Sequence, residues 1–368
     1  MVKLPLEGIF VLDFSTLLPG PFASLLMAEA GAEVLKVERP EQGDEMRTYQ
    51  PRIGEASANF VLLNRGKQSI SVDLKHPQAL ATLSPLIARA DVLIEQFRPG
   101  VMTRLGLDFE ALRKINPRLI YCSITGWGQS GPLAHVAGHD LNYMAEAGLL
   151  DLVRDSAGAP ALPPILAADI AGGAYPAFMN ILLAIRQRDA TGVGVHLDVS
   201  MAENLFAFHY WGLASHGAAG CWPTPGGELV TGGSPRYRIY ATADERFIAA
   251  APLEDKFWNA LCELLEVPAH LRAADAAPEA VTAFLADRFR ARSSDHWRQV
   301  FAGRDICCNV VSTLQEAVAH PHFRSRGVFS REVTFGTRTL GALPVPVAPQ
   351  LRSTAISRES PSLGLLEL

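Results

Sequence analysis

Two segments of the sequence place proton-exchanging side chains in surroundings that change their acidity. His139 and Asp140 are neighbours in GHDLNY (138–143), a glycine-flanked loop after a predicted strand. Asp169 is the acid in the apolar stretch PPILAADIAGGAYPAFM (163–179). A lone carboxyl group is costly to bury, and burial raises its pKa toward the range that suits a general acid or base. These residue types therefore suggest proton transfer.

Each of these residues also has a purely structural explanation. Asp169 is well suited to cap a helix that begins near Ile170, because aspartate is a favoured N-cap residue. His139, taken alone, is more often structural than catalytic. Neither residue assigns a function by itself, so the rest of the chain must decide between the two interpretations.

Several familiar classes of protein lack support in the sequence. It contains no GxxxxGK[ST], GxSxG or HExxH motif, which are the usual signatures of nucleoside triphosphate, serine hydrolase and zinc protease sites. A net charge of −5 and a pI near 6.1 argue against a nucleic-acid surface. No apolar run approaches the roughly 18 residues that span a bilayer, and the N-terminal pattern is not that of a signal peptide. We therefore expect no membrane association and no export.

The cysteines indicate a reducing compartment. The chain has five, an odd number without metal-ligand spacing. The adjacent Cys307 and Cys308 cannot form an ordinary disulfide. We expect free thiols, no metal site and a cytoplasmic location.

The elements that must position these residues follow an alternating pattern. Strands are predicted at 8–14, 34–38, 69–74, 91–97 and 118–127, with helices at 21–32, 77–90 and 108–115. Strands that alternate with helices of this length are typical of a parallel sheet covered on both faces. The sequence predicts an α/β fold.

A change of composition divides the chain. Residues 216–235 are rich in glycine and proline and are predicted to form a linker. A strand–turn–strand pattern at 236–250 and amphipathic helices at 255–267 and 277–293 predict a smaller α+β domain over 236–328. Residues 1–215, completed by 329–368, are predicted to form the large domain.

Basic residues follow several predicted strands. Ligands of parallel sheets bind beyond the carboxyl ends of the strands, and VERP (37–40), NRGK (64–67) and QFRPG (96–100) each contain Arg or Lys at such a position. This pattern suits a phosphorylated small molecule, although any single cation could be ordinary surface charge.

Longer segments, taken in order, resemble one family. They are FSTLLPGPFASLLMAEAGAEVLKVERPEQGD (14–44), LNRGKQSISVDLK (63–75), ADVLIEQFRPGVMTRLGLDFEALRKINPRLIYCSITGWGQSGP (90–132), AGHDLNY (137–143), AADIAGG (167–173), GGSPRYRIYATADERFIAAAPLEDKFW (232–258) and AVAHPHFRSRGVF (317–329). Over nearly the whole chain they resemble CoA-transferase family III, also called the CaiB/BaiF family. The most similar branch is the alpha-methylacyl-CoA racemases, because GHDLNY and PLEDKFW resemble that branch's catalytic histidine and glutamate segments. The transferase branch usually has an aromatic residue at the position of His139.

The resemblance implies a role for each matching residue. His139 and Asp169 match the two catalytic bases of the racemases, and Asp169 also matches the acyl-accepting nucleophile of the transferases. Glu254 matches the glutamate that orients the histidine, and Asp140 the acidic neighbour in the GHD motif. The cations in segments that hold the adenine and phosphates of CoA are Arg39, Arg65, Lys67, Lys75, Arg98 and Arg104.

The implied reaction is inversion of a carbon next to a thioester carbonyl. One group removes the α-proton while another delivers a proton to the opposite face. The enolate oxygen needs fixed donors, and backbone N–H groups of ADIAGG (168–173) are candidates. The resemblance further implies an acyl-CoA substrate, no metal or redox cofactor, and a Rossmann-like large domain in an interlocked homodimer. In that dimer, His139 and Asp169 of one subunit face Glu254 of the other.

Two other functions stay open on the sequence. One is a CoA-transferase in which the Asp169 carboxylate attacks the acyl-CoA, although GGSP (232–235) lacks the longer glycine run of the transferases. The other is a non-catalytic acyl-CoA-binding protein. The chain also departs from the racemases at Ile165, where they commonly carry asparagine, so we expect a more apolar pocket or a different substrate.

Overall fold

The chain forms two compact units in a computed structural model that describes residues 3–155 and 157–364. The large unit contains residues 3–148, 163–207 and 321–364. The small unit contains residues 149–155, 157–162 and 208–320, so it is made of two separate insertions in the chain of the large one. The division into a large domain over 1–215 completed by 329–368, a linker over 216–235 and a small domain over 236–328 stays a prediction.

The strands alternate with helices through the first half of the chain, as the sequence predicts. They are β1 (Phe10–Asp13), β2 (Glu33–Glu38), β3 (Arg52–Ile53), β4 (Ala56–Ser57), β5 (Gln68–Ser71), β6 (Val92–Glu95), β7 (Ile120–Thr125), β8 (His196–Ser200), β9 (Arg238–Ala241), β10 (Phe247–Ala250), β11 (Cys308–Val310), β12 (Glu332–Phe335), β13 (Arg338–Gly341) and β14 (Ser357–Glu359).

The helices are mostly short. They are α1 (Pro19–Glu29), α2 (Ala58–Asn64), α3 (Ala79–Arg89), α4 (Val101–Arg104), α5 (Phe109–Leu112), α6 (Asp140–Glu146), α7 (Tyr175–Thr191), α8 (Met201–Asn204), α9 (Tyr210–Ala219), α10 (Asp255–Leu264), α11 (Ala269–Arg272), α12 (Pro278–Arg290), α13 (Ser294–Phe301), α14 (Leu314–Ala319) and α15 (Pro321–Ser325). A π-helical segment, Ala168–Ala174, leads directly into α7.

The large unit is built on a six-stranded sheet with the order β5-β2-β1-β6-β7-β8. All of its pairings are parallel. The chain runs from β1 to β2 on one side and later returns to place β6 on the other side of β1. Such a reversal of direction opens a crevice at the carboxyl ends of the two central strands, where α/β proteins bind ligands. The predicted α/β fold with a Rossmann-like sheet is confirmed.

The carboxyl-terminal part of the chain is held to this sheet by a buried ion cluster. Glu29, at the end of α1, is fully buried and pairs with Arg65 at 2.8 Å and with Arg331 at 2.5 Å. Arg358 adds a hydrogen bond to the Ala28 carbonyl at 2.8 Å. A buried carboxylate requires such partners because it has lost its water. The β12–β14 sheet is thereby joined to the large unit.

The small unit contains an antiparallel sheet with the order β11-β10-β9. Amphipathic helices α10, α12 and α13 contribute its core, in which Trp258, Phe289 and Trp297 are buried. This is the smaller α+β body that the sequence predicts.

One helical stretch has the length and composition of a membrane span. Ala168–Thr191 passes that test on hydropathy, and 44% of its apolar window is buried inside the protein. A core helix of a soluble protein passes the same test, so the expectation of no membrane association stays a prediction.

Candidate functional site

A cavity of about 400 Å³ opens in the large unit at the crevice between β1 and β6. Its walls come from the loops after β1, β6 and β7, from the start of α6 and from the π-helical segment; they include Thr16, Leu17, Gln96, Phe97, Arg98, Trp127, His139, Tyr143 and Asp169. The structure therefore brings His139 and Asp169 into one cavity, although they are separated by a helix and a loop in the chain.

His139 lies at the entrance to a helix. It is the N-cap residue of α6, with extended backbone, and its N–H donates to Asn142 Oδ1 at 3.0 Å. Its side chain is exposed toward the cavity that it lines. Capping explains why the backbone turns here, and it leaves the imidazole at the cavity wall, within reach of a bound molecule.

Asp140 links the segment that carries His139 to the segment that carries Asp169. It is the first residue of α6 and is 6% exposed. Its Oδ1 accepts the N–H of Asp169 at 2.9 Å. Burial raises the pKa of Asp140, against the opposing effect of its hydrogen bonds from the backbone of Asp169 and Ala168. Asp140 thus holds the start of the Asp169 helix from outside that helix, which makes it a positioning residue.

Asp169 lies within the first turn of the π-helical segment, after the N-cap residue Ala167. The alternative that Asp169 itself caps the helix is therefore wrong. Burial raises the pKa of its carboxyl to about 7, and the nearby Asp140 adds to the rise. A carboxyl group with this pKa is part protonated at neutral pH, so it can both accept and donate a proton there.

The N–H groups at the start of ADIAGG are already used. Asp169 N–H donates to Asp140, and Ile170 N–H donates to the Leu166 carbonyl at 3.0 Å. The expectation that these first groups stabilise an enolate oxygen is therefore wrong, because internal acceptors occupy them.

Glu254 belongs to the small unit. It is the exposed N-cap residue of α10, and its carbonyl accepts the N–H groups of Phe257 and Trp258, each at 3.0 Å. Its predicted role of orienting the histidine stays a prediction.

Four of the six predicted CoA-binding cations are exposed. Arg98 follows β6 and lines the cavity. Arg104 ends α4, and Lys75 follows β5. Arg39 follows β2, and its Nε donates to the Gly43 carbonyl at 3.0 Å. Side chains with this exposure can meet a ligand phosphate.

The other two cations are fully buried. The Arg65 side chain is 1% exposed and donates to Glu29, to the Leu62 carbonyl and to the Leu343 carbonyl. The Lys67 side chain is 0% exposed, and its ammonium donates to Asp13, to the Pro21 carbonyl and to Asn64 Oδ1. Burial lowers the pKa of Lys67 to about 8. The structure places both residues inside the fold, where their donors face protein acceptors.

Two aromatic residues of the cavity escaped the sequence analysis. Trp127 and Tyr143 line it and pack edge to face, with ring centroids 4.9 Å apart. The signal was present, since Trp127 follows the strand end in GWGQSGP and Tyr143 closes GHDLNY. Only the structure shows that Tyr143, in α6, and Trp127, in the loop after β7, line the same cavity as His139.

A second polar cluster lies beside the cavity. Glu95, at the end of β6, is 3% exposed, and burial raises its pKa to about 7. Ser123 lies opposite it on β7 and forms a hydrogen bond with His196 of β8 at 2.9 Å. Together with Arg98 these residues line a smaller cavity of about 220 Å³. Glu95 was missed because, in the sequence, it reads as part of an ordinary strand.

Comparisons with known proteins identify the family of the chain. Residues 6–365 match the family model of CoA-transferase family III. The chain is 37% identical over 365 residues to alpha-methylacyl-CoA racemase from Mus musculus, covering 98% of this chain and 90% of that protein. It is 34% identical over 341 residues to acetyl-CoA:oxalate CoA-transferase from Acetobacter aceti, covering 89% and 85% of the two chains.

A solved structure shares the fold. The CaiB/BaiF family protein from Brucella suis superposes with a TM-score of 0.83 at 29% sequence identity, covering 99% of this chain and 97% of that one. The two structures therefore share their fold over nearly their whole length. Because the family match covers nearly its full length, the chain belongs to CoA-transferase family III.

Proposed function

We propose that the protein is a racemase that inverts the α-carbon of 2-methylacyl-CoA thioesters. The observation that carries the proposal is that His139 and Asp169 line one cavity, in which Asp169 has a pKa of about 7. The racemase relatives are consistent with this reaction. No metal or redox cofactor is required by it, and that absence stays a prediction.

The reaction follows from two bases on opposite faces of the substrate. In one direction the imidazole of His139 removes the α-proton, and the protonated carboxyl of Asp169 delivers a proton to the other face. In the reverse direction the two groups exchange these tasks. Each base ends a turnover in the protonation state from which the opposite reaction starts. A carboxyl group of pKa about 7 can take part in both directions near neutral pH.

Arg98, which lines the cavity, supports a CoA thioester as the substrate. We assign phosphate contacts to the exposed Arg39, Lys75, Arg98 and Arg104. Arg65 and Lys67 instead stabilise the loops that carry the binding surface, because their donors are spent on protein acceptors. The acyl chain then lies on the apolar part of the cavity wall, which includes Leu17, Ile124, Val136 and Met201.

The experiment that tests the proposal uses deuterated water. The protein is incubated with one enantiomer of a 2-methylacyl-CoA, without an acceptor acid, and α-deuterium uptake and configuration are followed together. We expect uptake accompanied by approach to a mixture of both configurations. Full inversion activity in a His139→Ala variant would refute the two-base assignment, and binding without any exchange would favour an acyl-CoA-binding protein.

A CoA-transferase is the second candidate, because Asp169 lines the cavity and a transferase is among the relatives. In that reaction the Asp169 carboxylate attacks the thioester carbonyl, CoA thiolate leaves, and a mixed anhydride forms. The thiolate then attacks the aspartyl carbonyl and releases the acyl group as a carboxylate. Inactivation by hydroxylamine only in the presence of acyl-CoA would favour this mechanism, whereas a racemase is insensitive.

A further inference from the structure

Three hydrogen bonds fix the backbone of the loop that carries His139. The Val136 carbonyl accepts Trp127 Nε1–H at 3.1 Å, and the Gly138 carbonyl accepts the Tyr143 hydroxyl at 2.5 Å. The N–H of His139 itself donates to Asn142 Oδ1 at 3.0 Å. Residues 136–139 are therefore held by Trp127, in the loop after β7, and by Asn142 and Tyr143 of helix α6.

The Tyr143 ring packs closely against Gly126, Gly138 and Trp127, which together form what we call its glycine seat. A Cβ atom at Gly126 would lie 2.2 Å from the ring, and one at Gly138 would lie 2.7 Å from it. The ring also packs edge to face on Trp127, at an interplanar angle of 85°. Only glycine at both positions lets the ring approach this closely, so the direction of the hydroxyl toward the Gly138 carbonyl is determined by packing.

We propose that Tyr143 is a positioning residue for His139, with Trp127 as its support. The inference rests on the proposed racemase reaction. The imidazole must reach the α-carbon at hydrogen-bond distance, and misplacement by about 1 Å costs on the order of 100-fold in rate. The Tyr143 hydroxyl holds the carbonyl one residue before His139, so its removal changes where the imidazole lies. Asp169 is held separately, through Asp140.

This division of support predicts an asymmetric defect. Each base removes the α-proton from one enantiomer only. A displaced His139 slows proton removal from its own enantiomer, while Asp169 still exchanges the proton of the other enantiomer with solvent and returns a deuteron with retention. Racemisation cannot show this asymmetry, because its equilibrium constant is unchanged by the enzyme and both directions fall together. Exchange measured on each enantiomer can show it.

The test compares Tyr143→Phe with the wild-type protein, using pure enantiomers of a 2-methylacyl-CoA in deuterated water. The enantiomer that depends on His139 is identified as the one whose exchange is abolished by His139→Gln. We expect Tyr143→Phe to slow exchange of that enantiomer by about 10- to 100-fold, with KM within twofold, and to change exchange of the other by less than threefold. The exposed Tyr49→Phe serves as the matched control and should change neither.

The outcomes separate the positioning role from the function. Equal slowing of both enantiomers, or slowing of neither, would contradict the positioning role while leaving the racemase reaction intact. Absence of exchange in the wild-type protein would contradict the proposed function, and the positioning role with it. If Tyr143→Phe does not fold, Trp127→Phe, which keeps a ring but removes the donor to Val136, must give the same one-sided loss.

Discussion

Two acids of the site share a neighbourhood and have different tasks. Asp140 is buried and its carboxylate accepts backbone N–H groups, whereas Asp169 faces the cavity. The sequence placed both in the site but could not separate them, because the hydrogen bond joins residues in different segments of the chain. The negative charge of Asp140 is also one cause of the high pKa of Asp169.

An Asp140→Asn variant tests this electrostatic link. Asparagine keeps an Oδ1 acceptor for the N–H of Asp169 but removes the negative charge. Because that charge raises the pKa of Asp169, the variant should lower it below about 7. In a profile of α-deuterium exchange against pH, the limb assigned to Asp169 should move to lower pH. Glu146→Gln, an exposed position at the other end of α6, is the control and should leave the limb in place. An unmoved or rising limb in Asp140→Asn would contradict the link.

At the scale of elements, apolar runs and helix periodicity were sufficient to predict five strands of the large sheet and the helices α1, α3 and α5, but they did not predict the sixth strand, β8. The strand predicted at 91–97 is Val92–Glu95, and the helix predicted at 77–90 is Ala79–Arg89. The start of the Asp169 helix was less predictable. Its first turns are π-helical, and its first N–H groups are satisfied by a carboxylate from α6, neither of which leaves a local pattern.

The glycine seat of Tyr143 gives a prediction for an element junction. Gly126→Ala places a Cβ atom 2.2 Å from the ring, so either the ring or the end of β7 must move. We expect a loss of about 1–3 kcal/mol in the free energy of unfolding, as for other overpacked sites. Gly217→Ala, in α9 with open space around the new methyl group, should be neutral or stabilising by about 0.5–1 kcal/mol. Urea unfolding of both variants measures these changes. Equal free energies of unfolding for the two variants would show that the Tyr143 ring is not closely packed against Gly126.

At the scale of the whole molecule, the decisive feature for the site is the place of β6 beside β1. The periodicity of a single strand does not reveal its neighbours in the sheet. The crevice could therefore be expected only from the general behaviour of parallel sheets and from the family resemblance. The Glu29–Arg331 pair is a second such feature, since its members are 302 residues apart in the chain.

The buried ion cluster predicts a large effect from a small change. Glu29→Gln keeps the shape of the side chain but leaves Arg65 and Arg331 without their carboxylate. We expect a loss of about 3–5 kcal/mol in the free energy of unfolding. The matched control is Glu33→Gln, whose partner Arg89 is 3.3 Å away and half exposed, and which should cost less than about 1 kcal/mol. Similar urea midpoints for the two variants would mean that the cluster does not hold the carboxyl-terminal part of the chain.

A mixing experiment tests the predicted homodimer with a shared site. His139→Ala and Glu254→Ala variants, each inactive, are unfolded together and refolded. If Glu254 of the partner subunit serves the His139 site, each mixed dimer has one intact site. With half of the dimers mixed, activity should return to about a quarter of the wild-type value. A mixture of His139→Ala and Asp169→Ala is the control and should stay inactive, because both residues line one cavity of the same chain. No recovery in the first mixture would contradict the shared site.

The long separation between Glu29 and Arg331 has a consequence for synthesis on the ribosome. At about 5–20 residues per second, the 302 residues between them take roughly 15 to 60 s to emerge. During that interval the nascent sheet has Arg65 but lacks Arg331, and the segment β12–β14 that will cover it does not yet exist. The inserted small unit has time to fold first. Until residue 331 has been synthesised, the amino-terminal half of the protein therefore cannot complete its fold. We expect chaperones to bind it during this interval.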